Sequence, residues 1–116
     1  MPPSKSLLVP LRHILDELDW MQITFSGMNF DEFAASRLHT LALERSIMII
    51  SEAVFRLPEN LLSNYPSINW RSIRGIGNFI RHQYDDVEQR VIWSVLRMDT
   101  VPLRPIVGKM IAELSA

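Results

Sequence analysis

Cysteine is absent from the 116 residues. That excludes a disulfide framework, thiolate metal sites and a thiol nucleophile together. Glycine is scarce, at four residues, against a hydrophobic content of 47%, a balance that favours a packed helical domain over a disordered chain. No apolar run approaches the ~20 residues needed to cross a bilayer. The first twenty residues interrupt their apolar stretch with Pro10, Arg12 and His13, so no secretory leader is expected and the protein is expected to be cytoplasmic. Charge of one sign is also missing. A formal net charge of −1 argues against generic binding to nucleic acid, and any RNA contact must come from a local patch. No Cys/His or carboxylate cluster has metal-ligand spacing, so neither metal nor cofactor is expected. Gly75-x-Gly77 lacks the preceding strand and third glycine of a dinucleotide loop.

What remains is helical pattern. Leu11, Ile14, Leu15, Leu18, Met21 and Phe25 recur at three- and four-residue steps, predicting a helix over about 9–25 with Pro10 in its first turn and Gly27 as its stop. Asn29 and Glu32 read as a capping box for a second helix over about 30–55. The middle of that helix is apolar on most sides, interrupted by Glu44, Arg45 and Glu52. These charges read as ion-paired or interface-facing, with the arginines of the 70–87 segment as partners. Leu57-Pro58 ends it, 59–63 can form a single turn, and Asn69 suits the N-cap of the next helix. Further helices are predicted over about 86–98, with Asp85-Asp86 bending or capping the chain, and from Thr100 to about Leu114. With no useful strand-like alternation and no internal repeat, the expectation is one domain over 1–116, an all-α up-and-down bundle of four to five helices.

Residues 70–87, WRSIRGIGNFIRHQYDDV, organise the rest. At about 100° per residue, Ile73, Ile76, Phe79, Ile80, Tyr84 and Val87 gather on one side, and Arg71, Arg74, Asn78, Arg81, His82 and Asp85 on nearly the opposite one. A solvated face with an Arg81–Asp85 pair would be the ordinary reading. Gly75 and Gly77 each cost roughly 1 kcal/mol against Ala inside a helix, which suggests close approach by a backbone, a second subunit or a ligand. His13 and His39 read as surface or packing residues, and Trp20, Trp70 and Trp93 as packing anchors rather than stacking platforms.

Asn78-x-x-x-His82-x-Tyr84, with the lead-in Trp70, Ile73 and Gly75, resembles the HepT-like ribonuclease family of the HEPN superfamily. Glu44-Arg45, Ser51-Glu52-Ala53, Leu57-Pro58, Pro66 and Trp93 extend the likeness over nearly the whole chain. The family motif is an arginine, four to six residues, then His-x-Tyr, with arginine usually just before the asparagine. Gly77 stands at that position here. Arg74, about 12 Å along the axis from His82, and Arg81, adjoining it, are the candidate replacements.

The residues themselves suit metal-free RNA cleavage, in which the ribose 2′-OH attacks the adjacent phosphate. His82 would move protons near neutral pH, Arg74 and Arg81 would stabilise developing negative charge, and Asn78 would orient the imidazole or a phosphate oxygen. The resemblance implies a toxin that dimerises, so that two motifs face one cleft. It also implies a nucleotidyltransferase-type (MntA-like) antitoxin that silences it by placing AMP on Tyr84. The alternative is a non-catalytic HEPN-like dimer that binds a protein or nucleotide partner, and Gly77 is the residue that favours it.

Overall fold

The computed structural model describes residues 4–82 and 88–116, with the side chains of 4–6 and 82 left out. Every regular element among the described residues is a helix, with no strand among them. Helix α1 spans Ser4–Thr24. It begins before the predicted start, so buried Pro10 lies inside it rather than in its first turn and one backbone hydrogen bond is forgone there. Gly27 ends the segment with φ of 77°, a left-handed conformation that a Cβ would oppose.

The expected second helix is two helices, α2 (Phe30–Ala34) and α3 (Arg37–Phe55). Asn29 and Glu32 form the reciprocal capping box at the start of α2, with bonds of 2.8 and 3.0 Å. The break follows from Ser36. Its Oγ accepts the His39 N–H at 3.2 Å and pairs with the His39 ring at 2.6 Å, giving the backbone a better N-cap than a helical interior. Helix α4 is the predicted single turn, Glu59–Leu62.

Helix α5 spans Trp70–His82. Asn69 caps it by accepting the Ser72 N–H at 3.0 Å, and the buried Trp70 Nε1 donates to the Tyr65 carbonyl at 3.0 Å. Tyr65 in turn donates its hydroxyl to Glu113 at 3.0 Å, so the start of α5 is tied to the far end of the chain. Residues 89–115 form a rod in which the last helix starts at Thr100 as expected but is joined to the one before it without a break: α6 (Gln89–Ser94), a π-helical turn (Val95–Asp99) and α7 (Thr100–Ser115). Pro102 cannot donate to a carbonyl in the preceding turn. The wide turn absorbs the mismatch there, with the Thr100 hydroxyl donating to the Leu96 carbonyl at 2.6 Å.

The bundle is α1, α3, α5 and the α6–α7 rod. Helix α3 packs on α1 and α5, and α7 returns along α1. Ile47, Ile50, Ile73, Ile76, Val95 and Leu103 meet where α3, α5 and the rod converge. An aromatic group closes the other end, with Phe33 lying 4.9 Å from Trp93 and Phe25 edge-on to both Phe33 and His39. Burying each large apolar side chain contributes about 1.5–3 kcal/mol, and Leu11, Ile14, Phe33, Leu43, Val54, Val107 and Met110 are completely inaccessible. Among the described residues no helix is long and apolar enough to cross a membrane.

Candidate functional site

Helix α5 is held against α3 by its apolar side, with Ile73 and Ile80 buried. Between them Gly77 lies directly on Ser51: a Cβ at Gly77 would sit 2.5 Å from the Ser51 Cβ and closer still to its Oγ. The Ser51 hydroxyl donates to the Arg74 carbonyl at 3.0 Å, so the two helices are bonded at the same point. The close approach foreseen for the glycines therefore belongs, at Gly77, to α3 of the same chain. A side chain at 77 would enter that contact and not the polar stripe, so an arginine could not stand there without moving the helices apart. Gly75 has open space around it.

The polar stripe divides in two. Arg74 turns toward the α3–α4 junction. Its guanidinium binds Glu59, donates to the Leu57 carbonyl at 3.4 Å and lies 5.5 Å from the centre of the Phe55 ring. Its Nε is buried with no hydrogen-bond partner among the described residues. Arg81 stays with the other half of the stripe. It donates to the Asn78 side-chain oxygen at 3.2 Å and lies 3.8 Å from a Glu52 carboxylate oxygen, with all three side chains exposed. Glu52 thus has the α5 arginine partner that the sequence suggested.

Of the residues singled out beforehand, Asn78 and Arg81 are therefore together. His82 follows as the last residue of α5, with only its backbone described. Arg74 is committed elsewhere. Tyr84, Asp85, Asp86 and Val87 lie outside the described residues. Phe79, assigned to the apolar side, is 44% exposed. With Ser72, Gly75, Ile76, Val91 and Val95 it borders an apolar groove of about 440 Å3 between α5 and the rod. Glu59 as the partner of Arg74 was not foreseen, because nothing in the sequence links positions fifteen apart across two turns.

Chemically, the end of α5 offers an accessible guanidinium steadied by a carboxamide and a carboxylate, next to an imidazole-bearing position. A guanidinium has only donors and suits a phosphate, and the Glu52 carboxylate lies 3.8 Å from it. Burial raises the carboxyl pKa values of Glu44 and Asp99, and neither is in this cluster. No group of three or more His, Asp or Glu among the described residues could hold a metal ion.

The sequence profile of the family described as "Ribonuclease HepT-like" matches residues 14–110. A protein of Caldanaerobacter subterraneus subsp. tengcongensis named "Putative RNase" is 30% identical, covering 89% of this chain and 92% of its own length. A "Putative RNase" of Methanocaldococcus jannaschii is 29% identical over 81% of this chain and 78% of its own. The "Probable ribonuclease HepT" of Thermococcus cleftensis is 28% identical over 81% and 86%. No solved structure matches the chain. A profile match over most of the bundle and a relative at this identity place the chain in the HepT-like ribonuclease family, within the HEPN superfamily.

Proposed function

We propose that this chain, as a single HEPN domain over residues 1–116, is the RNA-cleaving toxin of a pair whose antitoxin is a nucleotidyltransferase. The observation that supports it best is the Asn78–Arg81 pair, 3.2 Å apart on the exposed end of α5 and immediately before His82. In the proposed reaction an imidazole takes the proton of a ribose 2′-OH, whose oxygen attacks the neighbouring phosphorus. The 5′-oxygen leaves and receives a proton, while Arg81 stabilises the extra charge on the phosphoryl oxygens. One imidazole cannot be both base and acid in the same step. A twofold dimer that brings two copies of His82 and Arg81 to one cleft supplies both. Arg74, bound to Glu59, serves to fix α4 against α5.

The second reading, a binding module without catalysis, is favoured by the same Gly77 contact, because the usual motif arginine has no room at that position. RNA incubated with the purified protein in EDTA separates the two. Cleavage that persists without metal and is lost in His82→Ala, and drops about a hundredfold or more in Arg81→Ala, supports the enzyme. Binding of RNA without cleavage supports the module. Co-expression with a neighbouring nucleotidyltransferase should add AMP to Tyr84, read by intact mass, and Tyr84→Phe should remove the shift.

A further inference from the structure

On the side of the rod away from α5, a cavity of about 460 Å3 opens between the end of α1 and the π turn. Its deepest residues, Leu18, Met21, Phe25 and Leu96, are apolar and belong to the core, while Gln22, Ser26 and Val101 line its accessible walls. Its rim carries two guanidinium groups, Arg97 and Arg104. They are seven residues apart on one rod, which puts them on one side at roughly 10 Å separation. Each is held in place on one edge. Arg97 stacks 4.5 Å from the centre of the Trp93 ring and donates through Nη2 to the Met28 carbonyl at 2.6 Å. Arg104 donates to a single Asp19 oxygen through Nε at 2.8 Å and lies 2.6 Å from it through Nη2.

A guanidinium carries five donors, so both groups keep donors for a further acceptor after these contacts. A π turn in the wall is also the kind of helical irregularity that collects at binding sites. Apart from the Asp19 carboxylate already bound to Arg104, the lining is cationic or neutral, with Gln22, Ser26 and Thr100 beside the two guanidinium groups. That suits an anion, and the space between α1 and the rod suits a flat uncharged body behind it. The volume lies within the range of small-molecule sites.

We propose that this cavity binds a nucleotide unit, its base in the space between the end of α1 and the rod and its phosphate between Arg97 and Arg104. The choice of a nucleotide over another anion with a flat body rests on the RNA-cleaving reading. The site itself does not involve His82. The unit is either a free nucleoside monophosphate or one residue of an RNA strand, and the two sources separate in the test.

Calorimetric titration at physiological salt with GMP, and with an uncleavable 2′-O-methyl tetranucleotide, reads the site directly. Saturable binding is expected, weakened about tenfold or more in Arg104→Gln and in Val101→Glu. Val101 is 66% exposed on the rim, so its replacement adds a repelling carboxylate without disturbing the core, and an unchanged melting temperature confirms that. Binding of GMP identifies free nucleotide as sufficient, and binding of the tetranucleotide alone identifies the strand. His82→Ala should leave the affinity unchanged, even if RNA cleavage is never observed. Absence of saturable heat from either probe at about 10 mM, equal affinity in wild type and Val101→Glu, or loss of binding in His82→Ala alone would each overturn the assignment.

Discussion

The absence of a side chain at Gly77 decides how closely α5 can lie on α3. An added methyl would overlap Ser51 within 2.5 Å, and overpacking of this kind costs about 1–3 kcal/mol. Gly77→Ala should lower the urea-unfolding free energy by that amount, despite the higher helix propensity of alanine. Ser51→Gly removes the overlapping atoms, so the double variant should be more stable than the sum of the two single effects by about 1 kcal/mol or more. Simple additivity would show that the contact is not the cause. Glu44 gives a second residue-scale expectation. Burial raises its folded-state pKa, so the folded state binds its proton more tightly than the unfolded chain does. Its contribution to stability is present below the ordinary carboxylate range and is lost as pH rises through the raised value. Glu44→Gln should therefore unfold at a higher urea concentration than wild type near pH 7 and at the same one near pH 4. At this scale the sequence was partly legible. It flagged two glycines for close approach, but positions 75 and 77 differ by about 200° around a helix and cannot face the same neighbour. Only the packed bundle says which of them meets α3. Arg74 reads as part of the polar stripe, yet a long flexible side chain takes its direction from the turn that folds beside it, here the one carrying Glu59.

Element boundaries show which local signals prevail over periodicity. The apolar pattern from 30 to 55 predicts one helix, whereas the chain breaks at Ser36 because a hydroxyl there accepts the His39 N–H in the first turn of α3. Removing that cap with Ser36→Ala should cost about 1 kcal/mol, part of it through the lost 2.6 Å contact to the His39 ring. Thermal unfolding followed by circular dichroism checks this, and an unchanged midpoint would mean that packing alone sets the break. Asn29, by contrast, was readable in advance. Its box with Glu32 is a four-residue signal complete within the sequence and independent of tertiary neighbours. At residues 98–100, Thr100 and Pro102 read as the start of a last helix, and α7 does begin at Thr100, but with no break from the helix before it. A widened π turn and the Thr100 hydroxyl let the rod continue instead, an accommodation that depends on the rod having α1 and α3 to lie against.

For the whole molecule, the all-α bundle was legible because hydrophobic periodicity is a property of every long helix, and the site was legible only as a stripe. Where that stripe becomes a reactive cleft depends on a surface that one chain does not reveal from its sequence. Two features beside α5 bear on it. Phe79 is 44% exposed and Val91 39% exposed, and they border the apolar groove that also contains Gly75, whose open surroundings permit a near approach. The apolar surface on one side of α5 and the Asn78–Arg81 pair on another place a hydrophobic contact and a guanidinium group within the same helix. A twofold partner seated on this groove would bury Phe79 and duplicate Arg81 and His82 in the resulting cleft. Equilibrium sedimentation at micromolar concentration should therefore give twice the mass of one chain. Phe79→Glu should shift the protein to monomer while its helical circular dichroism is retained, and RNA cleavage should fall with the dimer population rather than with stability. A wild-type chain that sediments as a monomer yet cleaves RNA would defeat the shared-cleft mechanism, because proton transfer in both directions would then have to come from one bundle. A Phe79→Glu dimer of undiminished activity would move the interface to another face and leave the chemistry of His82 and Arg81 in place.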